Sequence, residues 1–207
     1  MIQLREYQAT AIDAVRDACL GGQRRPIVNL PTGTGKTVLG MELARRTLEK
    51  GGRVLWLAHT DELIRQPART AAAMLPEHVE VGIVKAEENE VGADLVIASV
   101  PTASRPDRLD DLERGANARG FTLIIVDEAH HAAADTYRLV LRRMEAQTPR
   151  VIVVGLTATL ERGDGAGLHK SFDGVCYQMA LFDAIDSGYL VPFRQEVQLL
   201  PELTGET

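Results

Sequence analysis

The sequence predicts an α/β fold in which a doubly wound, mostly parallel sheet is flanked by helices. Short apolar stretches alternate along the chain with longer stretches whose apolar residues recur at helical spacing. One short stretch, residues 121–126 (FTLIIV), is strongly apolar, which is typical of a parallel strand covered on both faces. Glycine pairs at residues 21–22 and 51–52 end the first two helical stretches.

The predicted elements follow one another in regular alternation. Strands are expected at residues 27–30, 53–58, 79–84, 94–100, 121–126 and 151–156, so about six or seven strands make one domain. Helices are expected at residues 5–20, 36–50, 61–74, 107–115, from 135 onward and at 181–187. Residues 85–90 and 163–167 are expected to be loops, and Trp56 is expected in the core.

Two helices carry specific expectations. Pro67 lies too deep in the third helix for its first turn, which predicts a kink there. Asp135 is expected to cap the helix that follows it. The apolar stripe of that helix consists of Tyr137, Val140, Leu141 and Met144.

Composition limits the classes of protein that this chain can be. It has 207 residues, of which 45% are hydrophobic, and a formal charge of −6, which argues against a wholly basic face for nucleic acid. No stretch is apolar enough to cross a bilayer, and the N-terminus has no signal-like core, so no membrane partner is expected. Cys19 and Cys176 lack metal-binding spacing. We therefore expect a cytoplasmic protein.

Residues 31–37 (PTGTGKT) form a glycine-rich loop between a predicted strand and a predicted helix. Glycines there let backbone N–H groups ring a phosphate, and the N-terminus of the next helix adds its dipole. Lys36 supplies a mobile positive charge, and the Thr37 hydroxyl can ligate Mg²⁺. The strict GxxxxGK[ST] pattern fails at Leu30, so a chance glycine-rich turn is the alternative. The expected phosphate-binding residues are Thr32, Gly33, Thr34, Gly35, Lys36 and Thr37.

An acidic pair, Asp127 and Glu128, follows the strand at residues 121–126. Ligands of open α/β sheets bind at the carboxyl ends of the strands, where these side chains are expected. Asp127 suits a second contact to Mg²⁺, most simply through water, and Glu128 suits the orientation and deprotonation of an attacking water. Together with Lys36 they are expected to form the catalytic set of a nucleotide-hydrolysis site, with ATP and Mg²⁺ as the expected cofactors.

Two histidines, His130 and His131, follow the acidic pair. A zinc site is disfavoured because there is no HExxH spacing and no cysteine nearby. Two better alternatives remain open for them, which are a relay between the acidic pair and its neighbours, and a plain solvated histidine.

The phosphate loop and the tetrad DEAH at residues 127–130 together resemble DEAD/DEAH-box helicases of superfamily 2. The combination of LPTGTGKT, DEAHH and GLTAT is most similar to the restriction-enzyme Res-subunit branch, with its RadD-like and XPB-like DNA enzymes. The likeness covers nearly the whole chain and implies the first of two RecA-like P-loop NTPase domains. Further matching segments, in the order of the family, are residues 4–8 (LREYQ), 57–66 (LAHTDELIRQ), 97–102 (IASVPT), 155–159 (GLTAT) and 172–192.

The resemblance assigns roles to residues outside the hydrolysis site. It implies that Gln8, with Arg5 beside it, reads adenine; the alternative is a polar residue on a solvent-facing helix surface. Thr157 and Thr159, with His130, would couple the nucleotide to nucleic acid, or the threonines would only satisfy backbone groups. The implied nucleic-acid path, which competes with ordinary solvated polar groups, consists of His59, Thr60, Arg65, Ser99 and Thr102.

The function implied is that of the ATP-binding domain of an ATP-dependent DNA helicase or translocase, in a branch associated with DNA repair. The RecA-like domain is expected at residues 1–191, and the start of an interdomain linker or tail at residues 192–207. Thr207 is expected to be a boundary within a longer protein and not its natural end. A second RecA-like domain, in cis or in a partner subunit, would complete the motor. The alternative is a nucleotide-binding module with little turnover of its own.

The sequence departs from the family pattern at three places. Leu160 stands where proline usually follows TAT, and Pro101 stands where glutamine is common before Thr102. No arginine-finger motif follows residues 155–159, since Arg162 and Arg194 are the only later arginines and lack the QxxGRxxR context. An arginine finger speeds phosphoryl transfer by roughly a thousandfold or more, so the isolated chain is expected to be weakly active or inactive.

Overall fold

A computed structural model describes residues 2–60, 62–115, 120–132, 134–148, 150–160, 168 and 171–192. The loop predicted at residues 163–167 and the two late arginines, Arg162 and Arg194, lie outside these residues.

The described strands form one eight-stranded sheet, ordered β4-β3-β5-β2-β6-β7-β1-β8. All neighbouring strands are parallel except β3 and β4, which pair antiparallel. The strands are β1 (Pro26–Asn29), β2 (Val54–Ala58), β3 (Val81–Lys85), β4 (Glu88–Asn89), β5 (Leu95–Ser99), β6 (Leu123–Asp127), β7 (Ile152–Thr157) and β8 (Gly174–Gln178). The predicted α/β fold with a mostly parallel sheet is therefore confirmed.

Helices cover both faces of the sheet. One layer packs α1, α2 and α3 on one face, and α4, α5 and α6 pack on the other. The helices are α1 (Glu6–Leu20), α2 (Lys36–Leu48), α3 (Glu62–Met74), α4 (Val100–Ala103), α5 (Pro106–Arg114), α6 (Asp135–Gln147) and α7 (Leu181–Asp186), with a short 3-10 helix at Ala129–His131. None of the described helices has the length and apolar character that a membrane span requires.

The core follows the predicted apolar pattern. Trp56 is fully buried in the layer that holds α2, as expected from its position in a buried strand. The stripe of α6 is buried on the opposite face, in one apolar cluster with residues of β6 and β7. Pro67 lies inside α3 and is buried, and the kink expected there stays a prediction.

Three predicted features need correction. Residues 85–90 are not only a loop, because Glu88–Asn89 pairs with β3 through Val84 and Lys85. A strand at Gly174–Gln178, which the sequence did not indicate, adds to the sheet beside β1. Asp135 is not the cap of α6, since Ala134 holds the cap position and Asp135 begins the helix, where its charge still suits the N-terminal dipole.

Candidate functional site

The loop between β1 and α2 has the backbone that a phosphate cradle requires. Gly33 and Gly35 have φ angles of +85° and +78°, a left-handed region that side chains with a Cβ avoid. Gly35 is the residue that caps α2, so Lys36 and Thr37 are its first two residues. The Thr34 hydroxyl braces the turn by donating to the Pro31 carbonyl at 2.6 Å. The loop thus ends at a helix N-terminus, where backbone N–H groups favour an anion.

Lys36 is the first residue of α2, and it lies close to the acidic pair. Its side chain is largely buried and its Nζ donates to the Leu30 carbonyl at 3.2 Å. Burial lowers the pKa of Lys36, while the carboxylates of Glu128 and Asp127 oppose that shift. The structure therefore brings together the lysine and the two carboxylates, which are far apart in the sequence.

Asp127 is the last residue of β6 and is only 3% exposed. Burial, and then the neighbouring charge of Glu128, raise the pKa of Asp127 to about 6. The backbone N–H of Glu128 donates to Asp127 Oδ1 at 3.1 Å and so stabilises the charged form in part. A buried carboxylate that lacks full compensation of its charge is suited to a cation.

Glu128 occupies a left-handed backbone conformation, with φ of 50° and ψ of 56°. This region is unfavourable for a glutamate and is typical of functional sites, where the surrounding structure maintains it. The turn ends β6 abruptly and begins the short helix Ala129–His131. Glu128 therefore lies near Lys36 of the phosphate loop and also contacts His130.

His130 connects the acidic pair to the end of β7. Its Nδ1 lies 3.3 Å from Glu128 Oε2 and 3.2 Å from Thr157 Oγ1. The Thr157 hydroxyl donates to the Thr159 carbonyl at 2.8 Å, and the Thr159 N–H contacts the same hydroxyl oxygen at 3.2 Å. This geometry favours the relay over a solvated histidine.

Gln8 does not lie on a solvent-facing surface, because it is 3% exposed. Its side-chain Nε2 donates to the Thr34 and Gly35 carbonyls at 3.2 Å each, and its Oε1 accepts from the Arg5 N–H at 2.9 Å. A cavity of about 290 Å³ opens beside it. The residues that line the cavity are Ile2, Gln3, Arg5, Gln8, Gly33, Thr34, Gly35 and Val38.

The residues of the expected nucleic-acid path differ in accessibility. His59, Thr60 and Arg65 are exposed near the carboxyl end of β2 and the start of α3. Ser99 and Thr102 are each only 8% exposed, and the Thr102 hydroxyl accepts from the Ala86 N–H at 3.3 Å. The first three residues therefore present exposed polar surface, whereas the last two present little, and the nucleic-acid path stays a prediction.

His131 is half-buried, and its ring stacks on that of the exposed His59 with centroids 5.1 Å apart. The described residues contain no group of three or more His, Cys, Asp or Glu side chains that could hold a metal ion.

The sequence did not indicate two contacts beside the phosphate loop. The ring of Tyr189 packs on Tyr7 with centroids 4.5 Å apart, and the Leu190 side chain lies against Gly33. The only available signal was the resemblance of residues 187–192 (SGYLVP) to the end of a first RecA-like domain.

Comparisons with known proteins point to one family. The family described as "Type III restriction enzyme, res subunit" matches residues 1–162. IRC3 of Saccharomyces cerevisiae, assigned provisionally as an ATP-dependent helicase, is 34% identical over 199 residues, covering 90% of this chain and 28% of that protein. The DNA 3'-5' translocase XPB2 of Sulfurisphaera tokodaii is 30% identical over 164 residues, covering 79% of this chain and 32% of that protein.

A solved structure gives the same result for the fold. The crystal structure of the Pyrococcus furiosus Hef helicase domain is similar with a TM-score of 0.67 and 28% identity, covering 85% of this chain and 38% of that one. This chain spans less than two fifths of each of these three proteins. Membership of such a family implies use of a nucleotide. The chain belongs to the type III restriction enzyme res-subunit family within superfamily 2, and it contains the first RecA-like domain.

Proposed function

We propose that this chain is the ATP-binding domain of an ATP-dependent DNA helicase or translocase. The observation that carries the proposal is the placement of Lys36 at the start of α2, after β1, and of Asp127 and Glu128 at the end of β6, since only β7 separates these two strands in the sheet. A lysine on a glycine-rich loop facing two carboxylates is the arrangement that nucleotide hydrolysis uses.

Each residue of this site has a role that its chemistry supports. Lys36 and the loop from Thr32 to Gly35 would hold the phosphates, and Gln8 would read the adenine edge. The Thr37 hydroxyl and the Asp127 carboxylate offer the hard oxygen atoms that Mg²⁺ prefers. Bound Mg²⁺ would neutralise charge on the phosphates. Glu128 would orient the attacking water and accept its proton.

The contacts from Glu128 through His130 to Thr157 support a role in coupling. The residue that would act on water and the last residue of β7 contact the same imidazole nitrogen. A change at the γ-phosphate that moves Glu128 would therefore reach Thr157 and Thr159 through a short, partly buried path. We assign these residues to communication between nucleotide and nucleic acid.

DNA is favoured over RNA as the partner because XPB2, one of the proteins this chain is similar to, is named as a DNA translocase. Exposed His59, Thr60 and Arg65 supply polar and cationic groups at one edge of the sheet for phosphate contacts. A second RecA-like domain, in cis or in a partner subunit, would close over the nucleotide. The cytoplasmic location stays a prediction.

A second candidate is a nucleotide-binding module with little turnover of its own. It is favoured by the absence of an arginine-finger motif from the sequence after residue 159. The two candidates share one nucleotide site. They differ only in whether this chain supplies all the groups that hydrolysis at that site requires.

Steady-state turnover of ATP with Mg²⁺ tests the proposal. The chain is measured alone and with single-stranded DNA, duplex DNA and RNA, and the Lys36→Ala variant serves as the blank. The domain proposal predicts weak turnover by the isolated chain, above the blank, that rises most with DNA. Stimulation by RNA alone would contradict the choice of DNA, and turnover equal to the blank under all conditions would favour the binding module.

A further inference from the structure

The segment that follows β8 returns to the phosphate loop. Helix α7 ends at Asp186. Gly188 then reverses the chain in a left-handed conformation, with φ of +71°, which glycine adopts readily. The N–H groups of Tyr189 and Leu190 both donate to the Ala184 carbonyl, at 2.9 and 3.0 Å. These bonds fix the direction in which Tyr189 and Leu190 leave the helix.

Tyr189 contacts both Tyr7 of α1 and Arg5, the residue that caps α1. Its ring lies against Tyr7 at a tilt of 59°, and its carbonyl accepts from Arg5 Nη1 at 3.2 Å. The Arg5 guanidinium also lies 6.0 Å from the centroid of the Tyr189 ring. Ring pairs of this kind contribute about 0.5–1.5 kcal/mol beyond the area they bury.

The contacts continue from Tyr7 into the phosphate loop. The Tyr7 hydroxyl donates to the Thr34 carbonyl, the same oxygen that accepts from Gln8 Nε2. Tyr7 is buried, so this hydrogen bond is shielded from water. Tyr189 thereby supports Arg5 directly and Thr34 through Tyr7. Both Arg5 and Thr34 line the cavity beside Gln8.

We propose that Tyr189 is a positioning residue that shapes this cavity for the base of an adenine nucleotide. This inference rests on the proposed function, since it deepens the same site. Tyr189 fixes the Arg5 side chain through its carbonyl and the Tyr7 ring through its own ring. The cavity then keeps the orientation of Gln8, whose Oε1 accepts from the Arg5 N–H and has a second lone pair for a donor on a base edge.

The test is calorimetric titration of the full chain with Mg·ADP, Mg·GDP and Mg·pyrophosphate. Tyr189→Ala removes the ring and Tyr189→Phe keeps it, while both variants keep the backbone carbonyl that accepts from Arg5. Phe182→Ala is the matched control, because it removes an aromatic ring from the same segment at a position that is 67% exposed. Pyrophosphate engages only the phosphate loop and so reports on the integrity of that loop.

Tyr189→Ala is expected to raise the Kd for Mg·ADP about tenfold, which corresponds to about 1.4 kcal/mol, and to leave the Kd for Mg·pyrophosphate within about twofold. The preference for ADP over GDP should narrow, while Tyr189→Phe and Phe182→Ala should bind like the unchanged chain. Equal weakening for ADP and pyrophosphate, or no change for ADP, would overturn the inference and leave the proposed function standing. Failure of the unchanged chain to bind Mg·ADP would overturn both.

Discussion

At the scale of single residues, Asp127 holds a carboxyl group where burial disfavours its charge. Its pKa is raised from 3.8 to about 6, so the folded state keeps the proton to higher pH than the unfolded state does. Stability therefore falls as the pH rises from about 4 through about 6. Since each pKa unit is worth about 1.4 kcal/mol, the loss at neutral pH is on the order of 2–3 kcal/mol.

Asp127→Asn is expected to raise the free energy of unfolding at pH 8, because the amide keeps an acceptor for the Glu128 N–H without the buried charge. The gain, on the order of 2 kcal/mol, should shrink at pH 5. Urea unfolding at the two pH values measures it, with Asp13→Asn on the exposed side of α1 as the control. A less stable Asp127→Asn variant at pH 8 would contradict this account of the site.

Glu128→Gln tests the role of the second carboxylate. The amide has nearly the same shape but cannot accept a proton from water, so nucleotide binding should persist while turnover falls at least about a hundredfold. Binding is measured by titration with Mg·ADP, and turnover is measured with the nucleic acid that stimulates the unchanged chain most. Glu87→Gln, at an exposed position in the β3–β4 turn, is the control. Normal hydrolysis by Glu128→Gln would remove Glu128 from the catalytic set.

At the scale of elements, α2 presses closely on the sheet at Gly40. A Cβ at this position would lie 2.7 Å from Cη2 of Trp56 and 2.8 Å from Cδ1 of Leu156. Both side chains are fully buried, so neither can move aside without disturbing the core. This close approach positions the helix whose first turn carries Lys36 and Thr37.

Gly40→Ala is therefore expected to destabilise the fold by about 1–3 kcal/mol through overpacking. Gly92→Ala is the matched control, since an added Cβ there meets no atom within 4 Å. Urea denaturation of both variants gives the comparison. If Gly40→Ala were as stable as Gly92→Ala, the packing of α2 on β2 and β7 would differ from that described here.

The elements also show what sequence patterns can and cannot predict. Parallel strands in the middle of the sheet were predictable because both faces are buried and the residues are apolar, as throughout β2 and in β6 up to Asp127. Strand β8 was not predictable, because it is an edge strand whose residues are half-buried or exposed. β4 is only two residues long and is defined by its pairing with β3, which leaves no local pattern.

The candidate site divides in the same way. Lys36, Thr37 and the acidic pair could be predicted because each lies in a short motif at the end of an apolar strand. The burial of Gln8 against the loop, and the packing of Tyr189 on Tyr7, join segments from opposite ends of the chain. Such long-range contacts depend on tertiary packing, which a local pattern does not encode.

At the scale of the whole molecule, two helical layers and one sheet bring distant motifs to a single edge. β1 and β6 are separated in the sheet only by β7, so the loop after β1, the acidic pair after β6 and Thr157 at the end of β7 are neighbours. The net charge of −6 does not prevent binding of a nucleotide there, because the loop backbone, Lys36 and a helix N-terminus supply local positive potential.

The central claim is that these parts form one nucleotide site, and titration of the chain with Mg·ADP tests it most directly. Calorimetry is carried out on the unchanged chain, on Lys36→Ala and on Lys50→Ala, which removes an exposed lysine just beyond the same helix. The account predicts saturable binding at a single site for the unchanged chain and Lys50→Ala, and no measurable binding for Lys36→Ala. Binding that survives in Lys36→Ala, or that is absent from the unchanged chain, would contradict the account.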